Sequence, residues 1–149
     1  MSENRKKRVM LIGNTGAGKT TLTQFLSNQE LKYSKTQTVQ IVNENIIDTP
    51  GEYLAYSYFR GTMMVTACDA DILIFVQDAS AVTTMFPPAY SSLFGKPTLG
   101  VVTKADLATE EQIEKAKKYL LMAGATKIFV TSSYDGTGFE ELSKVLGFE

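Results

Sequence analysis

The chain of 149 residues contains no histidine and a single cysteine, and each scarcity removes a class of chemistry. Without histidine, the commonest general base near neutral pH is missing, and so is the commonest metal ligand. Any metal is therefore expected to be held by oxygen, as magnesium is. Cys68 alone permits no internal disulfide and gives no sign of a secreted, disulfide-stapled scaffold; it reads as core filler. Long apolar runs are also absent. The polar N-terminus meets only the short stretch Val9–Ile12 before Gly13, which argues against a signal peptide or a membrane insertion. A formal net charge of -1 gives no general attraction to nucleic acid or to an anionic membrane. A cytoplasmic protein is expected. The basic cluster Arg5-Lys6-Lys7-Arg8 suits a docking tag or a solvated tail, and residues 1–7 are expected to be flexible.

What is present begins with a phosphate-loop pattern. Gly13-Asn14-Thr15-Gly16-Ala17-Gly18-Lys19-Thr20 fits G-x-x-x-x-G-K-[ST] at every fixed position, after the apolar run Val9–Ile12 and before Leu22, Phe25 and Leu26. Strand, loop and helix thus come in the order the motif needs. Glycines at 13, 16 and 18 are expected to let the backbone curl with unusual dihedrals, so that amide N–H groups, through Thr21, converge on nucleotide phosphates at a helix N-terminus. Lys19 would reach the β- and γ-oxygens, and the Thr20 hydroxyl would bind magnesium. This marks a nucleoside triphosphate binder.

A length of 149 residues with 44% hydrophobic side chains suits one domain over 1–149 with a single core. Val39–Val42 and Ile46-Ile47 flank Asn43-Glu44-Asn45 as a short hairpin or a strand with a turn, and a helix is expected between Tyr53 and Thr66. Asp71–Val76 reads as a strand buried on both faces. After Pro87-Pro88 the pattern suggests a short helix over Ala89–Phe94, then a strand over Pro97–Val102. Thr109 with Gln112 forms a capping box for a helix whose apolar face is Ile113, Ala116, Leu120 and Leu121, stopped by Gly124. Lys127–Val130 is the next strand, and Thr137 with Glu140 starts a last helix carrying Phe139, Leu142, Val145 and Leu146. The alternation predicts a three-layer α/β fold, a mostly parallel sheet with helices on both faces. Ligands then sit beyond the C-terminal ends of the strands.

Polar clusters fall at those ends. In Asp48-Thr49-Pro50-Gly51 the aspartate follows a strand; in phosphate-loop hydrolases such a residue holds magnesium and the glycine N–H senses the γ-phosphate, although D-x-P-G is also good turn chemistry. Thr103-Lys104-Ala105-Asp106 and Thr131-Ser132-Ser133 follow two later strands. The Asp106 carboxylate can accept from N1–H and the 2-amino group of guanine, the Lys104 stem can cover the ring, and a backbone N–H near Ser133 can donate to the 6-oxo group, with Ser132 a further candidate in the same cluster. Adenine lacks the 2-amino group, so the charged acceptor would be left wanting.

The order of these clusters resembles the small GTPase superfamily of translation-factor-related P-loop proteins over nearly the whole chain. The departure is Thr103, where that family normally has asparagine; one hydroxyl cannot supply an amide's donor and acceptor together, so the tie between base loop and phosphate loop is expected to be weaker and ATP stays in play. Lys35-Thr36-Gln37-Thr38 with Asp48-Thr-Pro-Gly-Glu52-Tyr53 resembles the EutP/PduV proteins of bacterial ethanolamine and propanediol utilisation. That likeness implies that Thr36, with Thr38 second, closes over magnesium as the switch residue. It also implies a bacterial metabolic microcompartment as the setting, with shell or pathway proteins as partners.

Glu52 stands where some GTPases orient the attacking water, but its carboxylate would also repel the γ-phosphate. Gly16 occupies the position where potassium-stimulated relatives place asparagine. Slow intrinsic hydrolysis is expected, accelerated by a partner or by self-association. Two other functions are carried alongside: an ATP-dependent small-molecule kinase such as an acetate kinase, and a nucleotide-stabilised scaffold that docks on shell proteins.

Overall fold

A computed structural model describes residues 8–14, 16–27, 40–43, 46–132 and 136–146. Six strands form one sheet: β1 Val9–Gly13, β2 Gln40–Asn43, β3 Ile46–Asp48, β4 Ile72–Asp78, β5 Thr98–Thr103 and β6 Lys127–Val130. Their spatial order is β2-β3-β1-β4-β5-β6. All neighbouring pairs are parallel except β2 with β3, which closes the expected hairpin at one edge. The helices are α1 Lys19–Ser27, α2 Glu52–Ala55, α3 Arg60–Ala67, α4 Glu110–Met122 and α5 Phe139–Leu146.

The central strands are apolar at nearly every position because both faces are covered. Alternation along β1 sends Met10 and Ile12 to one face and Val9 and Leu11 to the other. On the first face, Met63 and Ala67 of α3 and Ala116 and Leu120 of α4 pack over Met10, Leu73 and Phe75. On the second, Leu22 and Leu26 of α1 and Leu142 and Leu146 of α5 cover Leu11, Ile74 and Val101. Each fully buried large aliphatic side chain contributes on the order of 1.5–3 kcal/mol of transfer free energy.

The clearest predicted helix forms as expected. Thr109 Oγ1 accepts from the Gln112 N–H at 3.1 Å while Gln112 Oε1 accepts from the Thr109 N–H at 2.8 Å. At the other end Gly124 takes φ 108°, and the Ala125 and Gly124 N–H groups close onto the Leu120 and Leu121 carbonyls. Leu121, however, is exposed rather than on the apolar face. It follows Leu120 and so points about 100° round the helix from it.

Other expectations need correction. The helix between Tyr53 and Thr66 is two helices, α2 and α3, separated by an extended Tyr56 and a 3-10 turn at Ser57–Phe59. Over Ala89–Phe94 there is no α-helix: Ala89 is left-handed at φ 58°, and only a 3-10 turn, Tyr90–Leu93, follows. Aromatic stacking holds this crossover instead, with Phe86 4.7 Å and Tyr90 5.5 Å from Phe75. The last helix begins at Phe139, two residues after Thr137. Cys68 is exposed, not core: it follows α3 and its thiol meets the Met64 carbonyl. Among the described residues, no helix is long and apolar enough to cross a membrane.

Candidate functional site

Parallel pairing brings the C-terminal ends of β1, β3, β4 and β5 to one rim of the sheet, and the polar clusters collect there. The loop after β1 depends on its glycines for two separate reasons. At Gly16 and Gly18 the backbone takes φ 82° and 98°, which side-chain-bearing residues rarely adopt. Gly13 instead lies in the strand, without a positive φ, and is required by space: a Cβ there would stand 2.9 Å from the Val76 carbonyl oxygen and 3.3 Å from Lys19 Cδ. The turn is closed by the Ala17 N–H donating to the Asn14 carbonyl at 3.0 Å, and α1 then starts at Lys19. Asn14 is exposed and Ala17 buried, while Thr20 and Thr21 are half-buried. Thr15 lies outside the described residues.

Lys19 is 7% exposed. Burial lowers its pKa, and the opposing attraction of the Asp48 carboxylate does not offset that effect. Asp48 ends β3 in register with Leu11 of β1 and is itself buried. The Thr49 hydroxyl pins the following turn by donating to the Leu11 carbonyl at 2.7 Å. Buried Gly51 precedes α2, where Glu52 is half-buried. Thr36 and its neighbours lie outside the described residues.

The base-side clusters are tied to the phosphate loop by two direct bonds. The Thr103 hydroxyl donates to the Ala17 carbonyl at 2.5 Å, and the Lys104 ammonium donates to the Gly16 carbonyl at 2.7 Å. Threonine therefore keeps a tie that the loss of asparagine was expected to weaken. Its side chain also packs where a Cβ on Gly18 would come within 3.3 Å. Lys104 is left-handed at φ 60° and turns the chain into a 3-10 turn, Ala105–Leu107, that carries Asp106. Asp106 Oδ1 accepts from the Ser132 hydroxyl at 2.9 Å, joining the cluster after β5 to the one after β6. Ser133 lies outside the described residues.

Two cavities flank the phosphate loop. One of about 40 Å³ is lined by Gly18, Thr21, Thr103, Lys104, Thr131 and Phe139, between the phosphate and base clusters. Thr131 opens the cluster expected after β6, whereas Phe139 was read from the sequence only as part of an apolar helix face; its place at the start of α5 is the one signal that could have suggested it. The other, about 100 Å³, lies against Asn14 and Gly16, with Leu54, Gln77, Asp78 and Phe86 around it.

The residues fit a magnesium ion that arrives with phosphates. Among the described residues, no group of three or more cysteines or acids could cage a metal by itself. What exists is a buried carboxylate at a strand end, Asp48, and the Thr20 hydroxyl at the start of α1. Magnesium takes one or two such oxygens and completes its shell with phosphate oxygens and water.

A six-stranded sheet in this order, with a lysine-tipped glycine loop after its central strand, defines a P-loop protein with the fold of a GTPase domain. The fold is similar to bacterial selenocysteine-specific elongation factor EF-Sec (TM-score 0.70, 22% identity), covering 95% of this chain and 28% of that one. It is similar also to the FeoB G-domain from Methanococcus jannaschii (TM-score 0.63, 25% identity), covering 93% and 94% of the two chains. The chain belongs to the PduV-EutP family, described as ethanolamine utilisation - propanediol utilisation, whose model matches residues 6–147. Propanediol utilization protein PduV of Citrobacter freundii is 41% identical over 91% of this chain and 90% of its own length. A protein of Escherichia coli K12 named "Probable acetate kinase EutP" is 30% identical over 91% and 86%.

Proposed function

We propose that this chain binds GTP with magnesium and hydrolyses it slowly, as a switch serving ethanolamine or propanediol utilisation. The observation that carries the reading is the double tie of Thr103 to Ala17 and Lys104 to Gly16, beside the Ser132–Asp106 bond. It supports one continuous site in which the phosphate loop and a guanine-reading carboxylate are held at a fixed spacing.

In this reading the amides of residues 13–21 cradle the phosphates, and Lys19 lies against the β- and γ-oxygens. Thr20, Asp48 and Thr36 would hold magnesium, which when bound would supply positive charge against the phosphate oxygens. Water attacks the γ-phosphorus while the bond to the β–γ bridging oxygen breaks, giving GDP and phosphate. The Gly51 N–H meets the γ-phosphate, and Glu52, next along, would hold the water, against the repulsion between its carboxylate and the γ-phosphate. Asp106 accepts from guanine, the Lys104 stem covers the ring, and a backbone N–H near Ser133 would donate to the 6-oxo group, the Ser132 N–H being taken up by the Thr137 carbonyl at 3.1 Å. Of the described arginines, Arg8 precedes β1, at the opposite end of the sheet, and Arg60, exposed on α3, reads as a surface or interface residue. The stabilising cation then comes from a partner or a second copy. The exposed Tyr56 and Tyr58 between α2 and α3, and Val65 on α3, suit contact with shell or pathway proteins in a cytoplasmic or microcompartment setting.

A second reading, phosphoryl transfer from ATP to a carboxylate such as acetate, is favoured by the name of the E. coli relative and by the cavity of about 100 Å³ beside the loop. Its lining weighs against it, because the charged side chain there is Asp78, an anion. Calorimetry with GTP and ATP, followed by product analysis with and without acetate, separates the two. The expected result is tighter GTP binding, reduced about tenfold by Asp106→Asn, and slow phosphate release that ignores acetate. Equal binding of both nucleotides, untouched by the substitution, would overturn the guanine reading; triphosphate loss that requires acetate would establish the kinase.

A further inference from the structure

Asp78 has no part in the motifs above, yet it stands at their junction. It ends β4, which lies between β1 and β5, and is in register with Thr103. A side chain leaving the sheet there can reach both the phosphate loop and the base loop. Its two oxygens divide the work. Oδ1 accepts from the Ser80 N–H at 2.8 Å and the Ser80 hydroxyl at 2.7 Å, fixing the carboxylate to its own turn. Oδ2 accepts from the Lys104 ammonium at 3.0 Å, and the same ammonium donates to the Gly16 carbonyl at 2.7 Å.

Geometry makes this link more than a rim ion pair. Lys104 sits in a left-handed backbone conformation, which is unfavourable for a residue with a side chain and persists only when neighbours impose it. Its stem lines the cavity between the phosphate and base clusters, so where the ammonium is held decides where the stem lies. Thr103 supplies one hydroxyl bond to Ala17, so the second tie, from Lys104 to Gly16, carries a correspondingly larger share. Burial by itself would raise the Asp78 carboxyl, but the bonds from Ser80 and Lys104 and the lysine charge together hold it below the usual carboxylate range.

We infer that Asp78 is a positioning residue for the base: it holds Lys104 across the Gly16 carbonyl so that the lysine stem forms the wall against which the purine stacks. The inference rests on the nucleotide-binding reading above. It requires that Asp78 act on the base and leave the phosphates alone.

The test compares GTP with inorganic tripolyphosphate, which offers the phosphate loop its ligand without a base. In calorimetry with magnesium, Asp78→Ala is expected to weaken GTP binding about tenfold while tripolyphosphate affinity stays within about twofold. Asp78→Asn, which keeps an acceptor for Lys104 and loses the charge, is expected to fall between wild type and Asp78→Ala and serves if the alanine variant does not fold. Unchanged GTP affinity in both variants would overturn the inference, and so would equal losses for GTP and tripolyphosphate, which mark a general structural role. Wild type that binds tripolyphosphate but no purine nucleotide would instead overturn the reading on which the inference rests.

Discussion

Two lysine–aspartate couples frame the site, and they are built to opposite ends. Lys19 opens α1 and feels Asp48 from the end of β3; both side chains are buried, and burial wins, leaving the ammonium with a lowered pKa. Lys104 and Asp78 meet at the rim, 36% and 20% exposed, and there the hydrogen bonds win, leaving the carboxyl lowered. The difference separates a cation kept ready from one already employed. Lys19 is held at a cost that an arriving polyphosphate would offset, whereas Lys104 is satisfied by Asp78 and Gly16 and serves as a strut.

Removing Lys19 breaks this comparison most sharply. Lys19→Ala is expected to weaken GTP and tripolyphosphate alike, each by about 100-fold, because the lost charge-assisted bonds go to phosphate oxygens. Calorimetry on both ligands checks it, and the contrast with Asp78→Ala, where only GTP suffers, is the sharper half of the result. A Lys19→Ala chain that discriminated between the two ligands would make the couples alike.

A smaller effect is expected at the neighbouring tie. Thr103→Val keeps the packing on Gly18 and removes the hydroxyl, leaving the Ala17 carbonyl without that donor. Urea denaturation of the nucleotide-free protein should show a loss of about 1–3 kcal/mol. A stability unchanged within error would mean that the Lys104–Gly16 bond alone holds the two loops.

The residues that carry the first couple were legible in the sequence, and the second couple was half hidden. Lys19 and Asp48 announce themselves because the phosphate loop and the aspartate after a strand have fixed local spacing. Lys104 does so for the same reason. Asp78 meets Lys104 only through the register of β4 with β5, 26 residues away, and no local pattern encodes that pairing. Gln77 also masked it, since a polar residue after Val76 looks like the end of an apolar run while the strand continues to Asp78. The layers were readable because continuous apolar runs alternate with helical periodicity. The crossover between β4 and β5 was not, because Pro87-Pro88 and a left-handed Ala89 stop a helix that composition alone allows, and stacked and edge-to-face aromatic contacts supply the packing instead. Cys68 shows the same limit from the other side: a small apolar residue at a helix end gives no sign of which way it faces.

Lys19, a cation held against its own burial, carries a direct thermodynamic signature of a site made for phosphate. Because the folded pKa is lowered, the folded chain binds fewer protons than the unfolded one, and stability rises as pH climbs through the window that ends near the free lysine value of about 10.4. Phosphate oxygens beside the ammonium raise that pKa again, so binding within the window must take up protons. Calorimetry of tripolyphosphate with magnesium near the alkaline end, in buffers of different ionisation enthalpy, measures this uptake. Proton uptake that disappears in Lys19→Ala is the predicted result; binding with no uptake, or uptake that survives the substitution, would contradict the account.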